Sequence, residues 1–385
     1  MRRLLWAPGE LGLARAYVAG DIDLEGDVFE VMSRAQDLAS GSGEVVRQRI
    51  PLNQLPEVVR IAARVGGVGL PPTPPKEEAR VGGRLHSKKR DASAISHHYD
   101  VGNDFYALFL GDTMTYSCAF FEDEDMTLDE AQKAKYDLIC RKLGLRPGMR
   151  LLDIGCGWGG MALHAASNYG VEVVGVTLSE EQVTWARKEI ESAGLAHRIE
   201  IRKQDYRDID DGPYDAISSI GMFEHVGEAR LSEYFEGVHT LLAEKGRFMN
   251  HAISRQGGSP GIGKRSFIGR YVFPDGELHE VGRVVSAMQG IGFEVRDVES
   301  LREHYARTLR RWVGNLEQSW DRAVDLVGEA RARVWHLYMA GSAVNFDSGS
   351  ISIHQMLGVK PSPAGESGMP PTRSMMLATY DHHER

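Results

Sequence analysis

Leu151-Leu-Asp-Ile-Gly-Cys-Gly-Trp-Gly159 decides the fold. A short apolar run of strand length leads straight into glycines, and backbone without a Cβ can approach a ligand at the carboxyl end of a sheet. On the amino-terminal side, Thr127-Leu-Asp-Glu130 is a capping box that opens a helix to about Leu143. On the other side, Val171–Thr177, Ile199–Ile201, Tyr214–Ile220 and Gly246–Ile253 are apolar or β-branched runs separated by helical patterns. That alternation predicts an α/β chain with a doubly wound, mostly parallel, Rossmann-like sheet and a nucleotide-binding core within roughly 127–254. After Phe293–Val298 the chain reads as helical to about Asn345, packed beside the sheet or over its mouth.

The 385 residues exceed the size at which one core usually stops growing, about 250–300 residues, so a second unit is expected. Residues 1–65 have helical apolar spacing and read as a small N-terminal domain. Residues 66–94 read as a Pro- and Gly-rich linker, 95–359 as the catalytic domain, and 360–385 as a loose tail. Lys76, Arg80, Arg84, Lys88, Lys89 and Arg90 make this linker the most basic stretch, either a solvated tether or a patch for a membrane surface. No run approaches the roughly 20 apolar residues that cross a bilayer, and no signal segment develops at the start, so a cytoplasmic location is expected. The net charge of −9 argues against nucleic acid as the main partner. Three cysteines with no C-x-x-C pair indicate neither a disulfide framework nor a metal site.

The glycines fall at Gly155, Gly157, Gly159 and Gly160, a poor fit to the Gly-x-Gly-x-x-Gly of dinucleotide sites. The start Asp153-x-Gly-x-Gly instead resembles motif I of class I methyltransferases, which bind S-adenosylmethionine. In such enzymes an acidic residue usually ends the second strand, whereas this chain has Thr177-Leu-Ser-Glu-Glu-Gln182. Ser179 and Gln182 suit a helix cap as well as a ligand contact. Tyr206, after the third strand, suits stacking on adenine or plain core packing.

Further motifs extend the resemblance. His98-Tyr-Asp-Val-Gly-Asn-Asp-Phe-Tyr106 and Tyr116-Ser-Cys-Ala-Phe120 are aromatic and polar at once, like a lid. With Leu151–Gly160, Gly175–Ser179, Ser219-Ile-Gly-Met-Phe-Glu-His225 and Glu303–Leu309, they resemble the cyclopropane-fatty-acyl-phospholipid synthase and mycolic acid cyclopropane synthase family, in order from about His97 to Phe346. The resemblance implies methylene transfer from S-adenosylmethionine to the cis double bond of an unsaturated phospholipid acyl chain. It implies a bicarbonate base held by the side chains of Glu224, His251 and Tyr338 and by backbone at Cys118 and Ile253. It places the cofactor against Tyr116, Ser117, Asp153, Gly155, Cys156, Gly157, Gly159, Thr177, Leu178, Ser179, Gln182 and Tyr206. Cys118 has no evident base beside it and is expected to act through its backbone, not as a nucleophile.

The family chemistry suits the aromatic motifs. An alkene attacking a methyl sulfonium leaves a carbocation, which calls for aromatic faces, exclusion of water and a base acting after methyl transfer. The same cation losing a different proton gives a methylene-branched or, after reduction by a partner, a methyl-branched chain. A small-molecule methyltransferase and a non-catalytic lipid-binding module are alternatives from other classes. The lipid reading implies peripheral attachment to the inner membrane surface, with the N-terminal part docking lipid or forming a homodimer. Phe273-Pro-Asp-Gly-Glu-Leu-His-Glu280 departs from the Phe-Pro-x-Gly-x-Leu-Pro-Ser common in the family and marks a place where the acyl-binding wall differs.

Overall fold

The computed structural model describes residues 2–7, 9–41, 57, 60, 70–79, 82–83, 87–88, 90–91, 101–259, 261–263 and 266–378. Eight strands form one mixed sheet: β1 (Arg150–Ile154), β2 (Glu172–Thr177), β3 (Ile199–Lys203), β4 (Tyr214–Ile220), β5 (Leu242–Arg255), β6 (His279–Glu280), β7 (Glu294–Ser300) and β8 (Ile351–Val359). The order is β3-β2-β1-β4-β5-β8-β7, with the two-residue β6 beside the end of β5. The pairs among β1 to β5 are parallel, as expected, whereas β8 runs antiparallel between β5 and β7. The sequence reading had no counterpart for β8.

Alternate residues of the strands feed two cores. Leu151, Ala216, Met249 and Leu357 pack with α5 (Leu128–Leu143), α6 (Gly160–Tyr169) and α7 (Glu180–Ser192) on one face. Their neighbours Leu152, Ile217, Phe248 and Met356 pack with α8 (Leu231–Leu241) and α9 (Val281–Ile291) on the other. The capping box of α5 is present: Thr127 accepts from the Glu130 amide and Glu130 accepts from the Thr127 amide. Gly144 closes that helix in the left-handed conformation, at φ 65°.

A third core lies over the carboxyl ends of the strands. It joins α4 (Asn103–Leu110), α10 (Arg302–Gln318), α11 (Trp320–Val327) and α12 (Glu329–Asp347) to the N-terminal helices α2 (Glu10–Val18) and α3 (Val28–Gly41), with α1 (Arg2–Trp6) packed on α2. Ala14, Val18 and Val28 are buried in it, the Tyr17 hydroxyl lies 3.0 Å from His336 Nδ1, and Arg333 donates to the Tyr17 carbonyl. Residues 2–41 therefore share their core with the helical layer and do not form a unit apart. The expected boundary at residue 65 lies outside the described residues.

Two further expectations need correction. The described part of the 66–94 segment is not a solvated tether: Glu77 and Glu78 are buried, Arg15 grips Glu78 through two bonds of 2.8 and 2.9 Å, and Arg90 pairs with Asp275 at 2.6 Å. Lys88 pairs with Asp208, so the described cations of the basic stretch near its end are spoken for, while Arg80, Arg84 and Lys89 lie outside the described residues. A composition poor in apolar periodicity is held here by ion pairs, which hydropathy does not reveal. Nor are residues 360–378 loose. Lys360 donates to the carbonyls of His239 and Leu242 at 2.8 Å, and the short helix α13 (Arg373–Leu377) buries Met376.

Arg373 of α13 reaches Asp297 (2.9 Å) and Glu299 (2.5 Å) on β7, and both carboxylates also pair with the fully buried Lys142, at 2.8 and 2.6 Å. Lys142 thus clamps β7 and the tail to the sheet face. Removing one partner of a buried pair leaves charge uncompensated, so Lys142→Met is expected to lower stability by ~3 kcal/mol in denaturant unfolding at pH 7. A loss below ~1 kcal/mol would show that the network is solvated enough to do without it.

Candidate active site

Sheet order reverses beside β1, where β2 goes one way and β4 the other, and a crevice opens there at the carboxyl ends of the strands. The first of two cavities fills this crevice. Of the residues expected at a cofactor, Tyr116, Ser117, Asp153, Gly155, Cys156, Gly157, Thr177, Leu178, Gln182 and Tyr206 line it. Gly155 has φ 79°, and a Cβ there would stand 2.9 Å from Met222 Cβ, so the turn tolerates no side chain. Asp153 is buried and accepts a 2.7 Å hydrogen bond from Ser218, and burial raises its carboxyl to about 6. Thr177 donates to Gln182 Oε1 at 2.6 Å, joining the end of β2 to the first turn of α7. Trp158 in the glycine loop donates to Asn103 of α4 at 2.7 Å, tying loop to lid.

Gly159 and Ser179 do not line this cavity. Gly159 gives α6 room against Ala186, whose Cβ would be 3.1 Å from an added Cβ, and Ser179 caps α7 by accepting from the Gln182 amide. Ser179 thereby takes the capping alternative, and Gln182 supplies both the cap's amide and a cavity wall.

The second cavity lies behind the first, between β5, β8, α10 and α12. Its walls are mainly apolar, including Ile253, Ile268, Phe273, Leu309, Phe346 and Ile353, and it opens to solvent at its mouth. The two cavities share Tyr116, Ser117, Gly221 and His225. Tyr116 belongs to an aromatic cluster, stacked on Trp312 at 5.3 Å and set edge-on to Tyr106 at 5.6 Å, with Trp335 at 5.9 Å.

Glu224 is the carboxylate of the second cavity. It sits in the single turn Phe223–His225 just past β4, with Oε1 accepting from the Ile253 amide at 2.7 Å. Its Oε2 is buried and has no hydrogen-bond partner among the described residues. Burial raises this carboxyl to about 7. Tyr338 lines the same cavity, accepts a 3.1 Å hydrogen bond from the Tyr116 hydroxyl, and is pushed up to about 12 by burial, so it stays protonated.

His251 is fully buried on β5 next to this wall and does not itself line the cavity. Gln355 Nε2 lies 3.2 Å from His251 Nδ1 and can only donate, which puts the imidazole proton on Nε2. Burial holds the ring neutral, well below the ordinary histidine range, and Nε2 has no partner among the described residues. Cys118 lines neither cavity; its Sγ lies 3.2 Å from its neighbour's carbonyl, and burial pushes the thiol strongly up, which leaves no thiolate. His98 lies outside the described residues.

A sequence profile of the mycolic acid cyclopropane synthetase family matches residues 86–356. The chain belongs to this family. A probable fatty acid methyltransferase of Mycobacterium tuberculosis is 44% identical over 381 residues, 95% of this chain and 86% of that one. The cyclopropane-fatty-acyl-phospholipid synthase of Escherichia coli (strain K12) is 37% identical over 305 residues, 79% of this chain and 74% of that one. A crystal structure of mycolic acid cyclopropane synthase CmaA1 complexed with SAH and CTAB has a TM-score of 0.66 and 37% identity, over 69% of this chain and 97% of that one. This cyclopropane synthetase family member is an S-adenosylmethionine-dependent methyltransferase, and its mostly parallel sheet flanked by helices is the class I arrangement.

Sequence reasoning missed Lys135, which lines the first cavity from α5. The signal was present: Ala131, Lys135 and Ile139 form one buried row of that helix, and a lysine on such a row needs a reason.

The folded chain holds the Glu224 proton up to about 7, against an ordinary 4.5, so it binds more protons than the unfolded chain between those values. Stability from this group is therefore greatest below pH ~4.5, falls as pH rises to ~7, and stays low above it. Glu224→Gln abolishes the dependence, so variant stability minus parent stability is expected to rise by ~3 kcal/mol from pH ~4.5 to ~8. Parallel urea titrations of the two proteins measure it, and a flat difference would mean that Glu224 ionises normally.

Proposed function

We propose that this enzyme transfers the methyl group of S-adenosylmethionine to the cis double bond of an unsaturated phospholipid acyl chain, giving a cyclopropane fatty acyl chain. The observation that carries the reading is the shared strip Tyr116, Ser117, Gly221 and His225, where a cofactor-sized cavity meets an apolar one. Occupants of the two cavities would meet along that strip. The relative from Escherichia coli, named as acting on fatty-acyl phospholipid, supports the choice of acceptor.

Bound S-adenosylmethionine supplies an electrophilic methyl group; Asp153, the Gly155–Gly157 turn, Thr177, Leu178, Gln182 and Tyr206 would hold it. The chain's own residues then serve the acceptor. Ile253, Phe273, Leu309 and Ile353 surround hydrocarbon and keep water out, so that positive charge left on the acyl chain is not quenched. The aromatic faces around Tyr116 would lie beside that charge, and burial keeps Tyr116 and Tyr338 protonated, so neither presents the more nucleophilic phenolate.

Loss of one proton from the transferred methyl closes the ring, and a bicarbonate ion would supply the base. Glu224, a neutral acid whose Oε2 has no partner among the described residues, and the Tyr338 hydroxyl line the cavity as donors for such an anion, while the neutral His251, its Nε2 likewise without a partner among the described residues, stands behind that wall. The Ile253 amide already donates to Glu224, so its part is to orient that carboxyl. A 1,2-hydride shift that moves the cation onto the methyl-bearing carbon, followed by loss of a proton from that methyl, instead gives a methylene-branched chain, a second reading favoured by the relative named a probable fatty acid methyltransferase.

Among the described residues no helix is long and apolar enough to cross a membrane, and in this reading lipid is reached from a membrane surface. Incubation of the purified enzyme with methyl-labelled S-adenosylmethionine and oleoyl phospholipid vesicles, followed by mass spectrometry and NMR of the acyl chains, tests the proposal. A labelled cyclopropane ring is expected; an exocyclic methylene would select the second reading, and unlabelled lipid despite cofactor binding would refute both. In Glu224→Gln, cofactor affinity is expected to stay within about threefold while turnover falls roughly 100-fold or more, as for loss of a group acting in proton transfer. An unchanged rate would remove Glu224 from the reaction.

A further inference from the structure

Lys135 has no part in the account above. It is fully buried on α5, and its ammonium faces the first cavity. Nζ donates to Ser117 Oγ at 2.9 Å and lies 3.9 Å from the centre of the Tyr136 ring. Among the described residues its hydrogen-bond partner is a hydroxyl, and Asp153 acts on it only through its charge. A buried cation with only a hydroxyl and a ring face is expensive to keep charged, and burial accordingly pulls it down to about 7.

Among the described residues three carboxylates line the same cavity; Asp91 and Asp205 both pair with Arg207, whereas the buried Asp153 senses Lys135 without pairing to it and has Ser218 as its hydrogen-bond donor. Two buried charges of opposite sign, held apart on the wall of one cavity, suit a zwitterion: each is neutralised only when a ligand brings the complementary group. The methionyl end of S-adenosylmethionine is such a zwitterion, with an α-ammonium and an α-carboxylate on one carbon.

We propose that Lys135 binds the α-carboxylate of the methionyl portion of S-adenosylmethionine, opposite Asp153 at the α-ammonium. The inference rests on the first cavity being the cofactor site. Ser117 then has two tasks, since it fixes the Lys135 ammonium and borders the strip where the cavities meet. The cofactor is thereby anchored at its far end, and its sulfur is placed by the anchor.

The test reads binding, not turnover. Isothermal titration calorimetry on the full chain compares S-adenosylhomocysteine with its decarboxylated analogue, which keeps the amine and lacks only the carboxylate. Wild-type protein is expected to prefer S-adenosylhomocysteine by about 30-fold or more, as for a buried charge-assisted contact. Lys135→Met is expected to lose that preference, weakening S-adenosylhomocysteine by about 30-fold while leaving the analogue within threefold, and Lys135→Arg to recover part of it. Equal weakening of both ligands in Lys135→Met, or unchanged affinity for S-adenosylhomocysteine, would overturn the assignment and leave the cofactor reading intact. Wild-type protein that binds both ligands alike overturns it even if the variant fails to fold, and wild-type protein that binds neither removes the cofactor reading itself.

Discussion

In the proposed reaction an electrophilic methyl group must meet a hydrocarbon without meeting water first, and the arrangement at the carboxyl end of this sheet suits that constraint. The reversal of strand order at β1 opens a crevice no side chain fills, and the positive-φ turn at Gly155 keeps it open. The crevice alone makes a cofactor site. What adds a second, apolar cavity is the helical layer over the strand ends, where α10, α12 and the Tyr116 segment border it and it touches the first along four residues.

Burial then sets the protonation states. Asp153, Lys135, Glu224 and His251 are all removed from water, and in each the charged form is disfavoured by that removal more than any neighbour restores it. A site poised this way is close to neutral and keeps donors in hand: the Glu224 acid, the His251 Nε2 proton and the Tyr338 hydroxyl. Such donors cost stability, which the aromatic cluster of Tyr106, Tyr116, Trp312 and Trp335 and the ion-pair clamp at Lys142 help to offset.

The parallel half of the sheet was legible because each strand is a short apolar run closed by a turn or a capping signal, as at Thr127 and Ser179. The β8 segment Ile351-Ser-Ile-His-Gln-Met-Leu-Gly-Val359 was not, since it lies between two strands with both faces covered and shows no clean alternation. The linker and tail misled for another reason: Glu78, Arg90, Lys360 and Arg373 are held by ion pairs and carbonyl contacts to residues far away in the chain, which composition cannot signal. At the site, motifs placed Tyr116, Asp153 and Glu224 on the cavity walls, but could not say that Cys118 and His251 stand behind them. For His251 that distinction depends on which way the side chains of β5 point, and one residue of register reverses it; Cys118 lies in an irregular segment whose path no strand or helix pattern fixes.

The most direct test of the two-cavity account is a crystal structure of the enzyme with S-adenosylhomocysteine and an unsaturated phospholipid. The account predicts the cofactor product along Asp153, Gly155 and Gln182, its sulfur facing Gly221, and the acyl chain between Ile253, Phe273, Tyr338 and Ile353 with its double bond against the same strip. An acyl chain lying elsewhere, or a sulfur turned away from Gly221, would contradict it.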